Sequence, residues 1–138
     1  MAELSVKVGD KASFTKTVAA EDIVAFARVT GDDQPLHLDD AFAAKTRFGH
    51  RIAHGMLSAG YISAVLGTRL APKHVVVYLS QQMRFRLPVS IGDTITAEAE
   101  VTSVDAEKRI VTVRTDCVNQ RGEAVVKGEA TVLLDPLP

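Results

Sequence analysis

Gly55-Met56-Leu57-Ser58-Ala59-Gly60-Tyr61-Ile62-Ser63-Ala64-Val65-Leu66-Gly67-Thr68-Arg69-Leu70 decides how this chain folds. Apolar side chains surround the helical axis, mixed with Ser58, Gly60 and Ser63. A helix apolar on nearly every face has to be buried. Its small residues let a covering layer approach closely. The second half of the chain supplies that layer. Residues 75–87, 93–104, 109–119 and 124–134 are runs rich in Val and Thr, parted by turn chemistry at 88–92, 105–108 and 120–123. Thr94-Ile95-Thr96-Ala97-Glu98-Ala99-Glu100-Val101 alternates cleanly. Long adjacent strands with short turns predict an antiparallel meander, which can be wet on one face and must bury the other. One such sheet curled around one long helix is an α+β layer architecture.

Upstream, residues 11–18 alternate well enough for a first strand. Residues 19–30 place Ile23, Phe26 and Val29 at helical spacing, with Glu21 and Asp22 where they suit the helix dipole. Residues 41–46 predict one or two further helical turns. No repeat or linker divides the 138 residues, so a single domain is expected. Composition is that of a soluble globular protein, with 46% hydrophobic and 24% charged residues. A net charge of −1 argues against a nucleic-acid or membrane-surface footprint. The single Cys117 cannot form an intrachain disulfide, and its apolar alternating surroundings predict a buried, inert thiol. The start of the chain has no apolar leader and no later segment is apolar enough to span a bilayer, so a cytoplasmic location is expected.

Between the first helix and the long one lies Asp32-Asp33-Gln34-Pro35-Leu36-His37-Leu38-Asp39. Pro35 cannot sit in a helix interior, and it pushes Gln34 away from the helical region, so the stretch reads as an ordered loop. A loop that holds Asp32 near His37 can make a general acid/base pair, because histidine titrates near neutrality and a carboxylate orients or charges it. Asp and His are also common in plain surface turns, so the pair alone is weak. A second stretch adds to it. Gly55 opens the apolar helix, where free N–H groups and the positive dipole end favour negative charge, and without a Cβ it lets a ligand reach the backbone.

In this order, the Asp-x-x-Pro-Leu-His-x-Asp loop, His54-Gly55-Met56 and Phe85-Arg86-Leu87-Pro88-Val89 ahead of Gly92-Asp93 resemble the MaoC-like hydratases. More narrowly, the chain is similar to R-specific enoyl-CoA hydratases with a single hot-dog domain, over nearly its whole length. The resemblance implies hydration of trans-2-enoyl-CoA thioesters to R-3-hydroxyacyl-CoA without metal or other cofactor, and a homodimer joined edge to edge through its sheets. It implies Asp32 as the base side of the pair and His37 as the acid side. Gly55 is implied as the N–H that serves the thioester oxygen, and Ser63 as a polar helix position lining the acyl pocket. The family has Asn immediately before the proline. This chain has Gln34, one methylene longer and poorer at short bonds to its own backbone.

Other readings stand beside this one. A 3-hydroxyacyl-carrier-protein dehydratase, a thioesterase, or a non-catalytic acyl-CoA binder would use the same fold. An intact Asp32 and His37 count against the last, since a binder has no need of the pair. His50 and His54 sit four apart, but no further ligand pattern for a metal accompanies them; His54 is expected to hold the loop by hydrogen bonds. Asp33, Asp39 and Asp40 read as solvent-facing or capping, with Asp39 or Asp40 capping the short helix. Ser63 is equally a small packing residue. Arg84 and Arg86, with Lys73 or His74 nearby in sequence, are candidates for coenzyme A phosphates, against the plainer reading of a solvated basic face.

Overall fold

Four strands of the second half and one from the N-terminus form a single five-stranded antiparallel sheet, in the order β1-β3-β4-β5-β2. The computed structural model describes residues 3–138. Its elements are β1 (Lys11–Thr17), α1 (Ala20–Thr30), α2 (Pro35–Leu38), α3 (Asp40–Ala44), α4 (Gly55–Val65), β2 (His74–Phe85), β3 (Thr94–Asp105), β4 (Ile110–Val118) and β5 (Ala124–Pro136). A π-helical turn, Leu66–Leu70, extends α4. The sheet packs on α4 through β1, β3 and β4, the hot-dog arrangement.

Alternation along the strands builds the core. Ile95, Ala97, Ala99 and Val101 of β3 are buried, as are Val111 and Val113 of β4, while their neighbours look outward. From the helix side, Ile62, Val65 and Leu66 meet this face and are at most 1% exposed. The small Ala97 and Ala99 let the helix lie close. Cys117 belongs to the same core, its Sγ 3.7 Å from the Ser58 carbonyl oxygen, and burial pushes its thiol up to about 12. That is an inert thiol, as its setting in the sequence predicts.

Three expectations change. The meander covers only β3, β4 and β5; β2 does not pair with β3 but crosses to the far edge beside β5. The reason lies in the connection after β2. Ala53 N–H donates to the Val89 carbonyl (2.7 Å), and Ile52 bridges Ser90, so this segment is held against the entry to α4 instead of making a hairpin. Gly92 takes φ 94°, a conformation that glycine adopts without strain. The buried Asp93 carboxylate then fastens the crossover, accepting from Ser90 N–H (2.9 Å) and Gln120 Nε2 (2.8 Å). Secondly, α4 is covered on one side only: Met56, Gly60, Ser63 and Gly67 form an exposed stripe down the opposite face. Thirdly, α1 buries Ile23 and Ala27 on one face, whereas Val29 is on the outward face and 84% exposed.

One glycine ties the sheet to what lies above it. Gly128 of β5 stands opposite Met83 of β2 and Thr115 of β4. A Cβ there would lie 2.5 Å from the Gln82 carbonyl oxygen and 2.8 Å from Gln81 Nε2. The missing side chain leaves the space that Gln81 fills, donating to Thr115 Oγ1 (2.9 Å) while its Oε1 accepts from the Tyr78 hydroxyl. Backbone cannot swing aside as a side chain can. Gly128→Ala is therefore expected to destabilise the protein by about 1–3 kcal/mol, a fall in Tm of roughly 3–15 °C. Thermal unfolding followed by circular dichroism checks this; an unchanged midpoint would mean that the sheet yields easily.

Candidate active site

The loop between α1 and α3 is built by short local bonds. Gly31 ends α1 in the left-handed region. Thr30 Oγ1, bonded to the Phe26 carbonyl (2.7 Å), receives Asp32 N–H (3.2 Å). The Asp32 carboxylate in turn accepts from Gln34 N–H (3.4 Å). What reads as continuous loop contains one turn of helix, α2, with Pro35 at its first position. Proline is tolerated there because that N–H has no intrahelical partner. Gln34 makes no capping bond with its side chain, so the substitution for Asn leaves α2 capped by backbone alone. Asp39 caps α3 through Phe42 N–H (3.0 Å), and Asp40 pairs with Arg51 (2.8 Å).

The turn of α2 buries His37 and aims it inward. His37 Nδ1 lies 2.8 Å from the Ile52 carbonyl oxygen. A carbonyl can only accept, so Nδ1 carries the proton and Nε2 is left for chemistry. By the same logic His54 Nε2–H donates to the Asp32 carbonyl (2.8 Å). The His54 ring stacks on His37 with centroids 3.9 Å apart and packs against Phe26 on another side. His54 therefore holds the backbone of one candidate and the ring of the other. The sequence reading foresaw the hydrogen bond but not the stack.

Asp32, His37 and His54 each bring a ligating atom within 4.8 Å of the others. Stacked imidazoles direct their lone pairs side by side instead of toward one point, a poor arrangement for two ligands of one ion. His50 is engaged elsewhere, its Nε2 2.7 Å from Ser90 Oγ.

These residues line a cavity of about 600 Å³ together with Gly55, Met56, Ala59, Tyr78, Gln81 and Met83. The wall is largely apolar, and the exposed carboxylate of Asp32 and the imidazole of His37 supply its titratable groups beside His54. Gly55 begins α4, and its N–H makes no hydrogen bond within the described residues. Asp32, His37 and Gly55 thus share one cavity, although they come from two separate segments, the 32–39 loop and the start of α4. Ser63 does not line it; it is exposed on the uncovered stripe of α4. Tyr78, Gln81 and Met83 were not foreseen. The signal was present in Ser80-Gln81-Gln82, a polar interruption inside an otherwise apolar strand. Of the basic candidates, His74 is buried at the far end of β2, where it accepts from Ser5 N–H (3.1 Å), and Arg84 lines a shallow surface cavity with Asp116 and Glu129.

Comparison with known proteins places the chain in a family and agrees with the fold. The model of the MaoC like domain matches residues 5–122. A protein of Rhodospirillum rubrum named (R)-specific enoyl-CoA hydratase is 49% identical over 129 residues, covering 94% of this chain and 88% of that protein. Another of that name from Aeromonas caviae is 46% identical, with 97% and 99% covered. The solved structure described as the (R)-hydratase from A. caviae involved in PHA biosynthesis superposes with a TM-score of 0.90, covering 94% of this chain and 98% of that one.

Proposed function

This chain belongs to the MaoC-like family, and on that premise we propose that it hydrates trans-2-enoyl-CoA to R-3-hydroxyacyl-CoA. The observation that carries the reading is one cavity holding three things: the Asp32 carboxylate, the free Nε2 of His37 and the N–H of Gly55 at a helix start.

The chemistry follows from what the reaction needs. Water adds through oxygen to Cβ and a proton goes to Cα, with enolate charge developing on the thioester oxygen. The Gly55 N–H, backed by the positive end of α4, meets that charge. Asp32 takes a proton from the water as its oxygen bonds Cβ. That proton passes to the free Nε2 of His37, which gives it to Cα. The Asp32 carboxylate and the neutral imidazole are thereby restored. Oxygen and proton both arrive on the side of the double bond that the pair faces, so addition is syn and one enantiomer results. His54 keeps the two groups in register.

Crotonyl-CoA tests the proposal. Its conjugated enoyl-thioester absorbance should fall on addition of the protein, and the product should be the R alcohol. No change in absorbance, or release of free thiol, would overturn it. Faster turnover of the same acyl group on a carrier protein would make the chain a dehydratase of that substrate class.

We further propose that the working form is a homodimer and that it resides in the cytoplasm. No helix among the described residues is long and apolar enough to cross a membrane. β2 is a twelve-residue edge strand that leaves Val75, Val77 and Leu79 between 38% and 47% exposed. A long apolar edge is a template for pairing with another strand. A second copy there would stand beside Tyr78 and Met83, close the cavity, and cover the stripe that carries Ser63. Sedimentation should give twice the chain mass, and Val77→Lys with Leu79→Lys should yield monomers without turnover. A monomeric, fully active wild type would contradict this.

A further inference from the structure

We propose that the thiol arm of the substrate leaves the site through a second cavity and that Arg47 and Arg86 hold the phosphates of coenzyme A. This rests on the hydratase reading and names the part of the substrate that the catalytic cavity does not accommodate.

Gly55 sets the direction in which the substrate leaves the site. A thioester carbonyl has two substituents, the enoyl chain and the sulfur. With its oxygen on the Gly55 N–H and its enoyl carbons beside Asp32 and His37, the sulfur must point away from the first cavity. A second cavity of about 470 Å³ lies there, sharing Gly55 and Met56 with the first. Phe48, Ile52, Phe85 and Leu87 line it, and an uncharged, flexible arm with an aliphatic core suits such a wall.

Charge appears at the second cavity and in the third beyond it, where Asp93, Arg121 and Glu123 also line the wall. Arg86 lies on the second cavity, and Arg47 lines a third of about 480 Å³ that shares Phe48, Ile52, Leu87 and Pro88 with the second. Both arginines are exposed, and among the described residues neither side chain has an ion-pair or hydrogen-bond partner. Their neighbours are occupied: Arg51 pairs with Asp40 (2.8 Å), and Arg121 with Glu123 (2.7 Å). The run from acid/base pair through apolar channel to two unpaired guanidinium groups follows the order of enoyl group, pantetheine and phosphates along the substrate. Guanidinium is suited to phosphate because its planar fork donates in pairs.

Two measurements test this. Calorimetric titration with coenzyme A itself should show about three- to tenfold weaker binding for Arg47→Ala and for Arg86→Ala, with the loss shrinking as salt is raised. In kinetics, the wild-type preference for crotonyl-CoA over crotonyl-pantetheine should collapse in the double variant, through KM and not kcat. Unchanged affinity for coenzyme A would overturn the proposal, as would an equal loss on both thioesters. A larger loss on a crotonyl carrier protein would also overturn it, because the arginines would then be reading an acidic protein surface. If the wild type hydrates neither thioester, it is the hydratase reading that falls, and the titration still decides the arginines.

Discussion

Asp32→Asn is expected to lower kcat for crotonyl-CoA by about 10²–10⁴-fold with little change in KM, since it removes a proton acceptor and keeps the shape. Asp32 is exposed, and among the described residues one of its carboxylate oxygens is engaged, by Gln34 N–H. The amide oxygen can still accept that bond, so the thermal midpoint should stay where it is. His37→Gln should cost a similar factor in kcat, but it also removes a buried ring that bonds Ile52 and stacks on His54. Its midpoint should therefore fall, by the equivalent of about 1–2 kcal/mol. If the two residues act on one water, the double variant is barely slower than the worse single. Multiplicative losses would mean independent roles, and an Asp32→Asn enzyme with wild-type kcat would remove the carboxylate from the mechanism.

Gly55→Ala keeps the N–H but sets a methyl group against the oxygen it serves, and should lower kcat/KM by about 10²–10³-fold, as much as an oxyanion donor is typically worth. The added Cβ would stand 2.8 Å from Phe85 Cε1 and 3.0 Å from its Cδ1. Phe85 is 53% exposed, so the ring can move and the fold should survive. Two causes of lost activity are then possible: the displaced ring, or the methyl group beside the N–H. Combining Gly55→Ala with Phe85→Ala separates them. We expect the double variant to regain thermal stability without regaining turnover. Full recovery of turnover would make Gly55 a seat for Phe85 and nothing more.

How far the sequence carried these conclusions differs by element. The strands were legible to within about two residues at most ends, because a half-buried sheet imposes period two on its residues and turn chemistry marks its limits. The long helix was legible from its composition. Its one-sided burial was not, since a helix apolar all round says that it will be covered but not by what. α2 was hidden because Pro35 breaks a helix interior yet starts a helix well. Ser63, which the resemblance implies for the acyl pocket, lies on the exposed stripe of α4 instead. The pairing of β2 with β5 also escaped, because partner choice depends on where the linker at 86–93 is anchored, and its anchors, Ala53 and Ile52, lie more than thirty residues upstream.

By itself the sequence determined the architecture and the chemical inventory of this protein: a period-two sheet, an all-round apolar helix, and a carboxylate, an imidazole and a helix-start glycine in fixed order. These are local properties, set by spacing and residue type. Only the tertiary structure decided that Asp32, His37 and Gly55 share one cavity, that His54 braces the pair by a stack and a hydrogen bond, and that Arg47 and Arg86 are left without partners among the described residues. Apart from the Asp32–His37 pair, which share one loop, those facts depend on distances between segments far apart in the chain. Such distances follow from how the sheet and helix pack, and no local pattern of residues encodes them.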